Sequence, residues 1–167
     1  MYRLGHIGVA ALMYSPLAWF LAERGMIGLL VLGAVIMFTI ERVPDFDRRV
    51  PGLDHRGVSH SIVAILSIGY LVGVACWLFA SGINTATGVG LDVATIGGYG
   101  IMMGQYAILS HLAGDVITPQ GIKPLLPLTD WRIRIVLTKA ENETANAFLY
   151  AVGMIAFAVA MVGAFGV

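Results

Sequence analysis

Apolar residues in this chain run in long blocks, and polar residues collect between them. Five blocks, at about 6–22, 26–42, 61–80, 97–117 and 145–165, approach the roughly 20 residues a helix needs to cross a bilayer. Arg3 precedes the first block, as a basic residue precedes a secretory leader, but the run continues almost directly into the second block through Glu23-Arg24-Gly25. That pattern predicts a helical hairpin. Blocks three and four are joined by SGINTATGVGLDVAT, read as a Gly/Thr-rich loop without a basic residue. Gly69-x-x-x-Gly73 and Gly100-x-x-x-Gly104 predict close helix contacts, because small residues let backbones approach in lipid.

Composition names the solvent. Of the 167 residues, 58% are hydrophobic and 12% charged, with a mean hydropathy of +0.84. A soluble domain carries about 25% charged residues, and one core of this size cannot hide so much apolar surface. The expectation is an all-α, multi-pass membrane protein, a single integral domain over residues 1–167 built as a bundle of about five transmembrane helices. Zero net charge gives no global pull toward nucleic acid, and membrane lipids are the expected partners. The one cysteine, Cys76, excludes an intrachain disulfide framework.

Charge then sets a direction. Five crossings put Arg3, Arg42, Arg48, Arg49, Arg56, Lys123, Arg132, Arg134 and Lys139 on one side of the bilayer and leave only Arg24 on the other. Lysine and arginine concentrate in cytoplasmic loops. The N-terminus and the loops 43–60 and 118–144 are therefore expected in the cytoplasm, with the C-terminus outside. Asn142-Glu143-Thr144 matches a glycosylation acceptor but falls on the inner side, and is set aside.

The four histidines fall on that same inner side. His6 opens the first block, His55 and His60 lie at the entry to the third in HRGVSHS, and His111 lies four residues before Asp115 in the last turns of the fourth. Residues four apart share a helix face, so this pair can hold one ion. Asp45-Phe46-Asp47, after Pro44, sets two more carboxylates on a short non-helical segment. Each residue alone has a plainer reading. A histidine at a helix end often sits at the interface, Asp45 and Asp47 can terminate the second helix, and Asp115 can pair with an arginine.

Four histidines converging on one face are harder to reach that way, and ionisable groups in a membrane are costly unless paired or metal-bound. The expected ligand pool is His6, Asp45, Asp47, His55, His60, His111 and Asp115. It would hold a divalent metal ion, zinc first, with manganese or iron as alternatives. Arg56 suits an anionic oxygen of a substrate, since its planar fork matches phosphate. Asp54 is the candidate to orient a ligating histidine, and Ser59 or Ser61 to cap the third helix.

Taken in order, Gly5-His6, Pro44-Asp45-Phe46-Asp47, His55-Arg56-Gly57-Val58-Ser59-His60-Ser61, His111-x-x-x-Asp115-x-x-Thr118-x-x-Gly121 and KPLLPLTDWRIR resemble a known family. It is the YdjM-type, LexA-regulated, inner-membrane-bound predicted metal-dependent hydrolases. The resemblance covers nearly the whole chain and implies a metal-dependent hydrolytic site made from these histidines and aspartates. Two positions depart from the family's pattern: Arg48 stands where many members carry a histidine, and Asn146 aligns where some carry a glutamate.

The expected function is hydrolysis, by a metal-activated water, of an ester or phosphoester in a lipid or lipid-linked anionic substrate. Competing readings are a non-catalytic membrane protein that binds lipid or a partner through the polar cluster, and a metal or proton transporter. A transporter should carry polar groups at mid-membrane depth, and blocks one, two and five are nearly free of charge there.

Overall fold

The computed structural model describes residues 1–52 and 54–165, the side chains of residues 164 and 165 excepted. Five helices carry the chain: α1 (Arg3–Glu23), α2 (Ile27–Ile40), α3 (Ile62–Thr87), α4 (Val93–Val116) and α5 (Glu143–Phe165). Two 3-10 turns, Val43–Arg49 and Val58–His60, lie between α2 and α3. No strand occurs among the described residues, and one isolated bridge pairs Ile122 with Ile133. The all-helical class read from the apolar blocks is the class the chain forms.

Among the described residues, four segments are long and apolar enough to cross a membrane: Arg3–Glu23, Ile27–Arg49, Ile62–Thr87 and Glu143–Gly163. The block at 97–117 forms α4, a helix of sufficient length that is not among these four. Its position accommodates its polar residues. It packs against α1, α2 and α3, and 11 of its 24 residues are buried, so protein rather than lipid meets much of its surface. A helix enclosed in this way can carry the glycines, Ser110, His111 and Asp115 that a lipid-facing helix would not tolerate.

Close backbone approach holds the bundle together. A Cβ on Gly104 would stand 2.9 Å from Gly69 Cα, and one on Gly100 would stand 3.1 Å from Gly73 Cα, so the two glycine pairs form the α3–α4 contact as their spacing predicts. α1 and α5 meet the same way, since a Cβ on Gly8 would collide with the Leu149 backbone and one on Gly153 with Gly8 O. Three tyrosine hydroxyls add polar ties across the apolar interior. Tyr14 donates to Leu30 O at 2.6 Å, Tyr99 to Leu29 O at 2.8 Å and Tyr106 to Met13 O at 2.6 Å.

The hairpin between α1 and α2 turns at Gly25, whose φ of +66° is the left-handed region glycine enters without a Cβ penalty. The loop expected to begin at Ser81 begins later, because α3 continues to Thr87. Thr85 and Thr87 hydroxyls donate to carbonyls four residues back, and Gly88 at φ +70° closes the helix by donating to Asn84 O at 2.8 Å. Ser61 holds the N-cap position of α3, but its hydroxyl donates to Val58 O at 2.7 Å instead of accepting from the helix. Pro124 O instead accepts from Ile62 N at 2.9 Å, tying the long segment after α4 to the start of α3.

Alternating helix directions bring the start of α1, the end of α2, both 3-10 turns, the start of α3 and the end of α4 to one end of the bundle. The site lies there.

Candidate metal centre

Four elements supply the polar side chains. His6 comes from the second turn of α1, Asp45 and Asp47 from the turn after α2, His60 from the turn before α3, and His111 and Asp115 from the last turns of α4. His60, His111 and Asp115 are at most 1% exposed, and His6 is 3% exposed. Gly114 makes room for His6, since a Cβ there would stand 2.8 Å from His6 Nδ1.

The innermost atoms are His60 Nε2, His111 Nε2, Asp115 Oδ2 and Asp45 Oδ1. The two nitrogens are 3.3 Å apart. Asp115 Oδ2 lies 3.4 Å from His60 Nε2 and 3.7 Å from His111 Nε2. Asp45 Oδ1 lies 3.9 Å and 3.8 Å from the same two nitrogens. An ion with four ligands at about 2.0–2.2 Å in a tetrahedron keeps them roughly 3.3–3.6 Å from one another. The separations among His60, His111 and Asp115 are close to that range, and those from Asp45 to the two nitrogens are slightly longer. Asp115 Oδ2 is also buried without a hydrogen-bond partner, which is costly unless something else compensates it. These buried groups could hold a metal ion.

Their neighbours orient them. Asp115 Oδ1 takes the Arg56 guanidinium and, at 3.1 Å, the Met1 amino group, which leaves Oδ2 turned to the histidines. His60 Nδ1 is 2.9 Å from the Ser59 hydroxyl, which in turn is 2.6 Å from Asp47 Oδ2. His111 Nδ1 faces Glu41 Oε2 at 3.6 Å, both atoms being buried and otherwise unpaired. The His6 ring stacks on His111 with centroids 4.0 Å apart, and its Nε2 is 3.5 Å from Asp115 Oδ1. A third group, Asp47, His55 and His60, also lies within ligand distance. It is closed by Arg48, because His55 Nε2 is 2.7 Å from Arg48 Nη2 while His55 Nδ1 is 2.9 Å from Asp47 Oδ1.

The two residues expected to do chemistry sit differently from expectation. Arg56 is buried and turned inward, with Nη1 donating to Thr118 Oγ1 at 3.1 Å and Gly121 O at 3.2 Å, and Nη2 paired with Asp115. Both terminal nitrogens of its fork are engaged inside the protein, and its Nε is buried without a partner. Asp54 is exposed, its carbonyl accepts from Gly57 N at 2.9 Å, and its carboxylate pairs with no histidine among the described residues. The pool falls into overlapping triads: His6, His111 and Asp115 form one, Asp45, His60 and His111 a second that shares His111, and Asp47, His55 and His60 a third that shares His60.

Glu41 and Thr118 were missed as site residues by sequence reasoning. Glu41 carried a signal, being a carboxylate at the end of an apolar block on the histidine side. Asn146, at the position where some relatives carry glutamate, is buried and ties α5 to the start of α1 by accepting from Tyr2 N at 3.1 Å. Beside the centre a cavity of about 330 Å³ opens, lined by Arg3, His6, Glu41, Arg42, Asp45, Phe46 and Arg49.

Fold and site together define a multi-pass helical membrane protein with a buried histidine and aspartate cluster at one end of its bundle. The chain belongs to the YdjM inner membrane protein family, whose family model matches residues 1–166. Comparisons with curated proteins and with solved structures gave no match.

Proposed function

We propose that this protein is a membrane-embedded, metal-dependent hydrolase that cuts an ester or phosphoester of an amphiphilic substrate. One observation carries the reading: Asp115 Oδ2 is buried without a hydrogen-bond partner, within 3.7 Å of two imidazole nitrogens, in a cluster that borders an open cavity. Asp45, His60, His111 and Asp115 are the residues that would hold the ion, with His6 as a further donor. Zinc suits this mixture of nitrogen and oxygen. When bound, the ion supplies a Lewis acid and a water made nucleophilic near neutral pH.

The protein's own groups fix the geometry. Arg56 holds Asp115 by one oxygen, Glu41 orients the His111 ring, and Ser59 orients His60. Because Arg48 and Asp47 occupy both ring nitrogens of His55, one ion per chain is the expected stoichiometry. Asp45, whose side chain is 33% exposed, reaches both the cluster and the cavity. A purely structural metal site is closed, so that opening favours turnover.

The substrate class follows from depth. At the same end, Leu128 is 90% exposed and Trp131 56% exposed beside Arg132 and Arg134, a mixture suited to the headgroup region. Nine of the ten basic residues collect at this end, which supports a cytoplasmic site. Hydrolysis of phosphoesters and lipids by the purified protein should be stopped by a chelator, restored by zinc or manganese, and absent in His60→Ala. Tight metal binding with no turnover across a broad panel would overturn the enzymatic reading.

A further inference from the structure

Resting on that reading of the metal centre, we infer that the adjoining cavity is an anion subsite in which Arg3, Arg42 and Arg49 receive a phosphate-bearing headgroup. The three arginines come from separate places: the first turn of α1, the link after α2, and the end of the Val43–Arg49 turn. All three line the same cavity as His6 and Asp45. Among the described residues none of the three forms an ion pair or a side-chain hydrogen bond, whereas Arg48 and Arg56 pair with carboxylates, and Arg132 and Arg134 donate to backbone carbonyls. Arg49 lies 5.3 Å over the Phe46 ring, which holds its guanidinium at the cavity wall.

Charge inside the cavity favours an anion. Three cations face two carboxylates, and one of these, Glu41, is turned inward to His111 at 3.6 Å. A single arginine at a membrane surface is an ordinary lipid anchor. Three that converge on one opening, beside candidate metal ligands, form a directed arrangement. Guanidinium forks match phosphate oxygens in pairs. At about 330 Å³ the cavity is at the small end of ligand pockets, the size of a headgroup and not of its acyl chains.

The test is native mass spectrometry of the detergent-purified full chain with phosphatidic acid or phosphatidylcholine, with metal content measured on the same samples. Phosphatidic acid should be retained over phosphatidylcholine. Its occupancy should fall roughly tenfold or more in the triple variant Arg3→Gln, Arg42→Gln, Arg49→Gln, as expected for lost charge-assisted hydrogen bonds, with metal content unchanged. The pair Arg132→Gln, Lys139→Gln should bind as the wild type does. Displacement by inorganic phosphate identifies the phosphate group alone as the ligand, and resistance to it identifies the whole lipid headgroup; both support the subsite. Equal retention of the two lipids, or an equal loss in the control pair, would overturn it. Metal with no headgroup preference removes the subsite and leaves the centre. Headgroup preference in a metal-free protein supports the subsite and removes the centre.

Discussion

Arg56 holds φ +60°, a left-handed conformation that residues with a Cβ rarely adopt, and from it the side chain reaches Asp115, Thr118 and Gly121 while the backbone N–H donates to Asp47. Such a conformation persists only where surrounding contacts overdetermine it. Removing the guanidinium strands a buried carboxylate, so Arg56→Ala should lose about 3–5 kcal/mol of stability, read as a lowered Tm in detergent; an unchanged Tm would make the pair ornamental. Glu41→Gln keeps the shape and removes the carboxylate behind His111. Metal affinity should fall about 10–100-fold with folded yield intact, and unaltered affinity would reduce Glu41 to packing. The histidines and Asp115 were legible in sequence because they are rare ionisable groups at block ends. The direction of Arg56 was not, since a motif gives neighbours in sequence and Asp115 is 59 residues away.

Helix α4 carries the central pair, and its packing against α1, α2 and α3 explains its tolerance of polar residues. Hydrophobic runs revealed five helices because each block is long, but they could not reveal that α1 and α4 bury more of their residues than α2 and α3 do. The α3–α4 glycines were legible at i, i+4 spacing; Gly8 and Gly153 were not, because each meets a partner on a distant helix. Gly8→Ala should cost about 1–3 kcal/mol by pushing α5 off α1, with an unchanged Tm as the contrary result. At its far end α4 is capped by Asp92, whose carboxylate is held below its usual range by hydrogen bonds from the Thr95 hydroxyl and backbone N–H. A depressed folded pKa stabilises above the unfolded value and is lost as pH falls through the folded one. The stability gap between wild type and Asp92→Ala should therefore be open at neutral pH and close below about pH 4; a gap that does not change with pH would deny the cap its charge.

As a whole, the molecule gathers most of its ionisable groups at one end of an apolar bundle, and alternating helix direction is what makes residues 6, 45, 60, 111 and 115 neighbours. The same alternation predicts topology: in a Cys76→Ser background, a cysteine at Val89 should be labelled from outside and one at Thr129 protected, and the reverse would move the site to the outer face. Metal content bears most directly on the proposed chemistry. Elemental analysis of the purified protein should find close to one divalent ion per chain, lost in His111→Ala and in Asp115→Ala at comparable folded yield. A metal-free wild type, or full metal retention in both variants, would contradict a metal centre built on His60, His111, Asp45 and Asp115.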